Sequence, residues 1–363
     1  MTPKQRVEAA LRGERANKMP LTAYAEYVSQ SASERRLRNG GLCIVCRQPS
    51  FYKTAVPHTT CERKHYERED GEFVETQIST AEGDLSALEQ VDSTTNTSWY
   101  VDRLYQKPED YRKLQSLFNN QLFVPCYDEF LRAQEAAGDD VFFLPEIGYS
   151  PLHFILYELM GVETFSIEWA ERRDEVLALY EVLVENRRRL YTIAADSPAL
   201  LVNYDADISS EIIGLQRFEE YYLPHYEEFA EIMHRKDKLT GIHLDGHIWL
   251  YEEAIGASSI DCIESFTPPP DGDLDLAHAK VAWPNKTLWV NIPPSLHQYD
   301  TYELAEDVRG LLRACGDGER VLFGFADAAP DDCWQENFNA VLDLINGEGS
   351  LPLNMWAQRE AAS

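Results

Sequence analysis

An imidazole and a carboxylate two residues apart, His243 and Asp245, close the apolar run LTGIHLD. Alternate residues of a strand share a face, so the two side chains are expected to leave together from one strand end. So placed, they can share a divalent metal, with zinc favoured by the nitrogen donor. Asp327 closes another apolar run, VLFGFAD, and can supply a third ligand. Three protein ligands leave a position for substrate or water, the pattern of catalytic zinc. The plainer alternative is a hydrogen-bonded pair in which the carboxylate fixes the imidazole tautomer. His247 is a spare donor, expected on the following loop.

Other apolar runs end in the same way, at Tyr24 and Glu26, Glu146, Asn203 with Asp205 and Asp207, Glu264 and Asn291. Glu264 and Glu146 are the candidate catalytic carboxyls, either general acids raised by burial or satisfied structural groups. Tyr24, Glu26, Asn203, Asp205, Trp249 and Asn291 are the candidate substrate contacts, although a tryptophan such as Trp249 is more often a packing residue. No GxSxG elbow is present, so a hydrolase triad is unsupported.

These groups need elements that bring them to one place. Eight short apolar segments read as core strands, near 21–26, 43–46, 141–145, 199–203, 239–243, 260–264, 287–291 and 321–325. A helical pattern at 128–137 precedes the third, and from 141 onward they alternate with helical patterns, among them 151–160, 173–195, 218–233, 302–315 and 333–345. Repeated strand–helix units imply a parallel sheet, and eight of them imply a closed (β/α)8 TIM barrel, whose chemistry sits at the strand C-termini. An open doubly wound sheet would carry a glycine-rich phosphate turn, and neither GxGxxG nor GxxxxGK[ST] occurs. A helical extension at 3–13 precedes the first strand. Thr-rich segments around the turn Glu69-Asp70-Gly71 read as an inserted antiparallel β segment over 52–104, within one domain of 1–363. That insertion can cover the barrel or make a homodimer contact.

The 363 residues carry a formal net charge of −29. Such a surface repels nucleic acid and anionic membranes. No run approaches the ~18 apolar residues of a membrane span, and the N-terminus has no apolar signal core, so a cytoplasmic location is expected. Seven scattered cysteines suggest no disulfide framework. Cys43 and Cys46 form a CxxC, with Cys61 and His65 as a loose second pair. The buried-strand reading of Cys43-Ile44-Val45-Cys46 is preferred to a zinc knuckle.

Four segments together resemble the uroporphyrinogen decarboxylase superfamily: RVEAALRGERANKMPL, STAEGDLSALEQ, EIGYSPLHFILYELMGVETF and GIHLDGHIWLYEEAIGASSIDCIESFTPPPDGD. The resemblance runs in order along nearly the whole chain and is strongest over about 239–330. It implies a single (β/α)8 barrel. The true decarboxylases carry an arginine-rich first-strand motif that grips tetrapyrrole carboxylates; LTAYAEYVSQ has no arginine, which argues against a porphyrinogen substrate. The chain is more similar to the corrinoid-dependent methyltransferases, in whose thiol-methylating members zinc is held by an HxC and a distant cysteine near the last strand. Asp245 replaces the first cysteine, and Asp327, in FGFADAAP, stands where the third ligand falls. Carboxylates at these places resemble the O-demethylase subgroup. The resemblance therefore implies zinc on His243, Asp245 and Asp327, a small methoxylated aromatic or similar methyl donor, and a corrinoid carried by a partner protein. A harder zinc of this kind would act as a Lewis acid on an ether oxygen, with Tyr24, Tyr27 and Trp249 available to hold a ring. The alternatives are a cofactor-independent decarboxylase or lyase of a small carboxylic acid, and a non-catalytic ligand-binding barrel.

Overall fold

The structure, a computed structural model, describes residues 1–92, 97–205, 209–330 and 332–353, with Asp205 described in its backbone alone. Its strands in chain order are β1 (Leu21–Tyr24), β2 (Cys43–Cys46), β3 (Tyr52–Ala55), β4 (Thr60–Arg68), β5 (Gly71–Thr80), β6 (Gly83–Asp92), β7 (Thr97–Asp102), β8 (Leu122–Pro125), β9 (Val141–Phe143), β10 (Glu146–Tyr149), β11 (Leu201–Asp205), β12 (Leu239–His243), β13 (Cys262–Phe266), β14 (Thr287–Asn291) and β15 (Val321–Phe325). The chain divides into two compact units. One comprises Met1–Phe51, Cys126–Gly148 and the chain from Ala194; the other comprises Tyr52–Pro125 and Tyr149–Ile193.

The first unit is built on a nine-stranded sheet in the order β10-β11-β12-β13-β14-β15-β1-β2-β9. The pairings from β11 round to β9 are parallel. The two end strands, β9 and β10, are separated only by Leu144 and Pro145. Leu144 N donates to Cys46 O on β2 at 3.0 Å, and Pro145 O accepts from Asn203 N on β11 at 3.0 Å, so this one segment bonds to the second strand from each end of the order. The architecture is α/β and TIM-barrel-like.

Every residue of β13, β14 and β15 is buried. That is why their apolar residues, Leu288-Trp289-Val290 and Val321-Leu322-Phe323 among them, follow one another without alternation, as in a parallel sheet covered on both faces; Glu264, Ser265, Thr287 and Asn291 are the buried polar residues of these strands. Cys43 and Val45 lie in the same core as Leu201, Cys262, Trp289 and Leu322, so the CxxC is strand interior. Val7, Ala10 and Leu11 of the first helix, Pro3–Arg12, pack into that core too. A Thr2–Gln5 capping box starts this helix, and Gly13, at φ 68°, stops it. Among the described residues no helix is long and apolar enough to cross a membrane.

Where β13 and β14 begin, buried Lys286 ties three acceptors together: Ser258 O at 2.8 Å, Ser258 Oγ at 3.2 Å and Ile260 O at 2.9 Å. Burial lowers its ammonium from the ordinary 10.5 to about 8. A lowered lysine binds fewer protons folded than unfolded between those values, so its contribution to stability rises with pH across that window. Chemical denaturation at pH 7.5, 9 and 10, on wild type and Lys286→Met, is expected to show a rise that the variant lacks.

The second unit holds the four-stranded antiparallel sheet β4-β5-β6-β7 and the pair β3-β8. Glu69 and Asp70 form the turn between β4 and β5, as their chemistry predicts, with Arg68 paired to Gly71. Three elements differ from the sequence reading. The helix expected over 218–233 is two helices, Leu215–Tyr221 and Leu223–His234, because Pro224 has no N–H and fits only a first turn. The helix expected over 151–160 is α-helical over Pro151–Phe154 and widens to a π-turn over Ile155–Met160. The helix Val162–Glu171 was not expected from the sequence.

Candidate functional site

The strand ends of the first unit converge on Glu264. It is 1% exposed and sits beside a register shift between β13 and β14. The next residue, Ser265, has φ 57°, a left-handed conformation that costs a non-glycine residue about 1 kcal/mol. A bulge with one strained residue re-aims the side chains around it, and such features cluster at functional sites.

The Glu264 carboxylate accepts from the Tyr24 hydroxyl on β1, from Asn203 Nδ2 on β11 at 3.1 Å and from His243 Nδ1 on β12 at 2.7 Å. Gly241 on β12 makes room for Asn203: a Cβ there would lie 1.9 Å from Asn203 Oδ1. Arg47, the residue after β2, lies over the Tyr24 ring at 4.1 Å from its centroid. Its Nε is 3.2 Å from Glu146 Oε1, near enough for an ion pair but not aligned for a hydrogen bond.

Burial penalises both charges of the His243–Glu264 pair, and each partner outweighs that penalty for the other. Glu264 and Asp245 hold the imidazolium of His243 well above the ordinary histidine value. The cations of His243 and Arg47, with the Tyr24 hydroxyl, hold Glu264 below the carboxylate range. Tyr24 is pushed far up, by burial first and by the Glu264 charge next. At neutral pH the pair is therefore a buried ion pair with a protonated imidazole.

His243 ends β12, and Asp245 lies in the turn beyond it, not on the strand. The two still face each other, with Nε2 to Oδ2 at 3.8 Å. Asp327 is half-buried and accepts from Asn291 Nδ2 at 2.7 Å. Burial raises its carboxyl, the Asn291 bond lowers it, and the nearby charges of Asp245 and Glu264 raise it again. Buried Asn291 is fully occupied: it also donates to Thr267 Oγ1 at 3.2 Å and accepts from Ala326 N at 3.0 Å. It positions Asp327 and the strand exits.

The donor types suit a divalent ion, and a carboxylate on Nδ1 is how a ligating imidazole is usually held. The spacing does not match. Among the described residues no three His, Cys, Asp or Glu side chains form a group that can hold a metal ion. Asp327 is turned to Asn291.

Of the expected substrate contacts, Tyr24 and Asn203 are in the cluster, and Glu26 is exposed beside it. Trp249 is 55% exposed, and its ring lies 5.5 Å from that of His278; it makes no contact with the Glu264 cluster among the described residues. The Asp205 side chain and Asp207 lie outside the described residues. Glu146 is half-buried against Arg47. Arg47 was not singled out from the sequence. Its signal is the one that found the others, a polar residue directly after an apolar run, here CIVCR.

No family model and no curated protein sequence matches the chain. Among solved structures, a methyltransferase from Methanosarcina mazei matches 96% of this chain and 99% of its own, at 14% identity and a TM-score of 0.59. At that identity the likeness shows a shared fold. A sugar phosphate isomerase/epimerase from Parabacteroides distasonis matches 91% of this chain and 93% of its own, at 9% identity, but its TM-score of 0.35 carries no argument.

Proposed function

We propose that the chain is a methyltransferase component that takes the methyl group of a small methoxylated aromatic or similar donor and passes it to a corrinoid on a partner protein. The proposal includes a (β/α)8 barrel in which the 141–149 segment joins β2 to β11. The observation that carries the reading is the protonated His243, locked through Nδ1 by Glu264, with Nε2 at the strand ends beside Asp245. The sequence resemblance and the fold shared with a methyltransferase support it.

The corrinoid would supply the nucleophile that accepts the methyl group. This chain's part is to hold the donor and manage its leaving oxygen. As the methyl–oxygen bond breaks, its electron pair goes to the oxygen, which takes the proton from His243 Nε2. Glu264 keeps the resulting imidazole oriented, and Asp245 draws Nε2 toward the mouth. Four carboxylates (Glu146, Asp245, Glu264 and Asp327) against two cations (Arg47 and His243) leave the mouth negative, which suits a neutral or cationic donor. Zinc on His243, Asp245 and Asp327 belongs to the proposal only if Asp327 turns from Asn291 and Nε2 loses its proton.

Incubation with reduced free cobalamin and a panel of methoxylated aromatics tests this. Donor-dependent loss of the Co(I) absorbance, absent in His243→Gln, is expected. No transfer from any methyl donor would sink the reading. Metal analysis of untagged protein tests the zinc component separately: wild type holding stoichiometric zinc that His243→Ala loses would support it. Arg47 favours one competitor, a lyase that grips a carboxylate, which predicts release of CO2 without corrinoid.

A further inference from the structure

Among the described residues, the second unit presents a long unpaired strand edge. β4 runs nine residues, about 30 Å, pairs with β5 from Thr60–Ser79 through Arg68–Gly71 without a register shift, and stands at the end of its sheet. Eight of its nine residues are exposed, and none is proline. Edges are usually blunted by shortness, proline, bulges or charge. Only charge is present here, as Glu62-Arg63-Lys64-His65-Tyr66-Glu67-Arg68.

The order of those charges matters. Charges of one sign along an edge would repel a second copy, whereas alternating signs can pair with it. Here we infer that β4 pairs with β4 of a second copy of this chain, antiparallel about a two-fold axis at His65, joining two four-stranded sheets into one of eight. An axis perpendicular to the sheet keeps side chains on their own faces, so opposed residue numbers must sum to an even value. Centred on His65, Glu62 faces Arg68 and Arg63 faces Glu67. The two-fold axis repeats both, giving four opposite-charge pairs and none of like sign. Lys64 faces Tyr66. Moving the centre to Tyr66 sets Lys64 against Arg68, and moving it to Lys64 leaves no opposite-charge pair. The register about His65 is thus favoured over its neighbours on both sides. Within one copy two of these charges have only long ion-pair contacts: Arg63 lies 3.5 Å from Glu89, and Lys64 3.9 Å from Glu62. Arg68 lies over the rings of Tyr66 on β4 and Phe73 on β5 and donates to the Tyr66 hydroxyl at 2.8 Å, and it would turn outward to meet Glu62 of the second copy.

Sedimentation velocity on the full chain, over a concentration series and at low and high salt, tests the pairing. A reversible dimer that weakens with salt is expected. Arg63→Glu, which sets like charges against each other twice, is expected to weaken it about tenfold or more. Arg63→Glu with Glu67→Arg restores opposite charges and is expected to restore the dimer. Glu62→Arg, alone and with Arg68→Glu, repeats the test on the other pair should the first variant fold poorly. A wild-type monomer throughout, a dimer indifferent to both reversals, or swaps that fail to rescue would each overturn the inference.

Discussion

Replacing His243 with Gln is expected to lower turnover of the methyl donor by about 10²–10⁴-fold, with a much smaller change in KM. The asymmetry follows from where the proton is needed. A neutral ether oxygen in the bound donor gains little from Nε2, whereas the oxide that forms as the methyl leaves gains a full proton, so the lost interaction belongs to the transition state. The pH profile gives a second, independent readout. Wild type should be active while His243 is protonated and fall off as pH rises through its raised value. Glu264→Gln removes the charge that does most to hold the proton, leaving burial to act against it. Its alkaline limb should therefore move to lower pH, and at a fixed neutral pH its rate should approach that of His243→Gln. An unmoved limb in Glu264→Gln would show that Glu264 merely packs beside His243.

How far this site could be read in advance depended on what kind of signal each residue left. Strand interiors such as TLWVN and VLFGF are legible because full burial demands apolar runs, and polar residues at their ends mark the exits. Glu264, Asn203 and Tyr24 were found that way, and so could Arg47 have been. The local HxD pattern was sound in distance but not in reason: Asp245 meets His243 from a turn, not along a strand face. Partnerships between distant residues leave no local trace. Nothing near Asp327 announces that Asn291 holds it, and nothing near Glu264 announces that its ion pair is satisfied by three other strands. The break at Tyr222 is legible in Pro224, although the apolar period of 218–233 runs through it and by itself implies one continuous helix.

Glu264→Ala is expected to destabilise the fold by about 3–5 kcal/mol, because removing one member of a buried pair leaves the other charge unmatched. The imidazolium of His243 and the nearby guanidinium of Arg47 would lose their counter-charge, and the Tyr24 hydroxyl and Asn203 amide their acceptor. The pH dependence fixes the sign. A histidine raised in the folded state contributes stability that is fully present below its unfolded value of 6.5 and is lost as pH rises through the folded value. A lowered carboxyl contributes stability present above 4.5 and lost as pH falls through its folded value. The deficit of Glu264→Ala should therefore be greatest between those limits and shrink at high pH, where His243 is neutral in both states. Adding His243→Ala removes the orphaned cation. The double variant should recover part of the loss, with a coupling of about 0.5–3 kcal/mol in the double-mutant cycle. Strict additivity, measured by denaturant unfolding at neutral pH, would mean that the pair does not act as a unit and that His243 is held in place by packing alone.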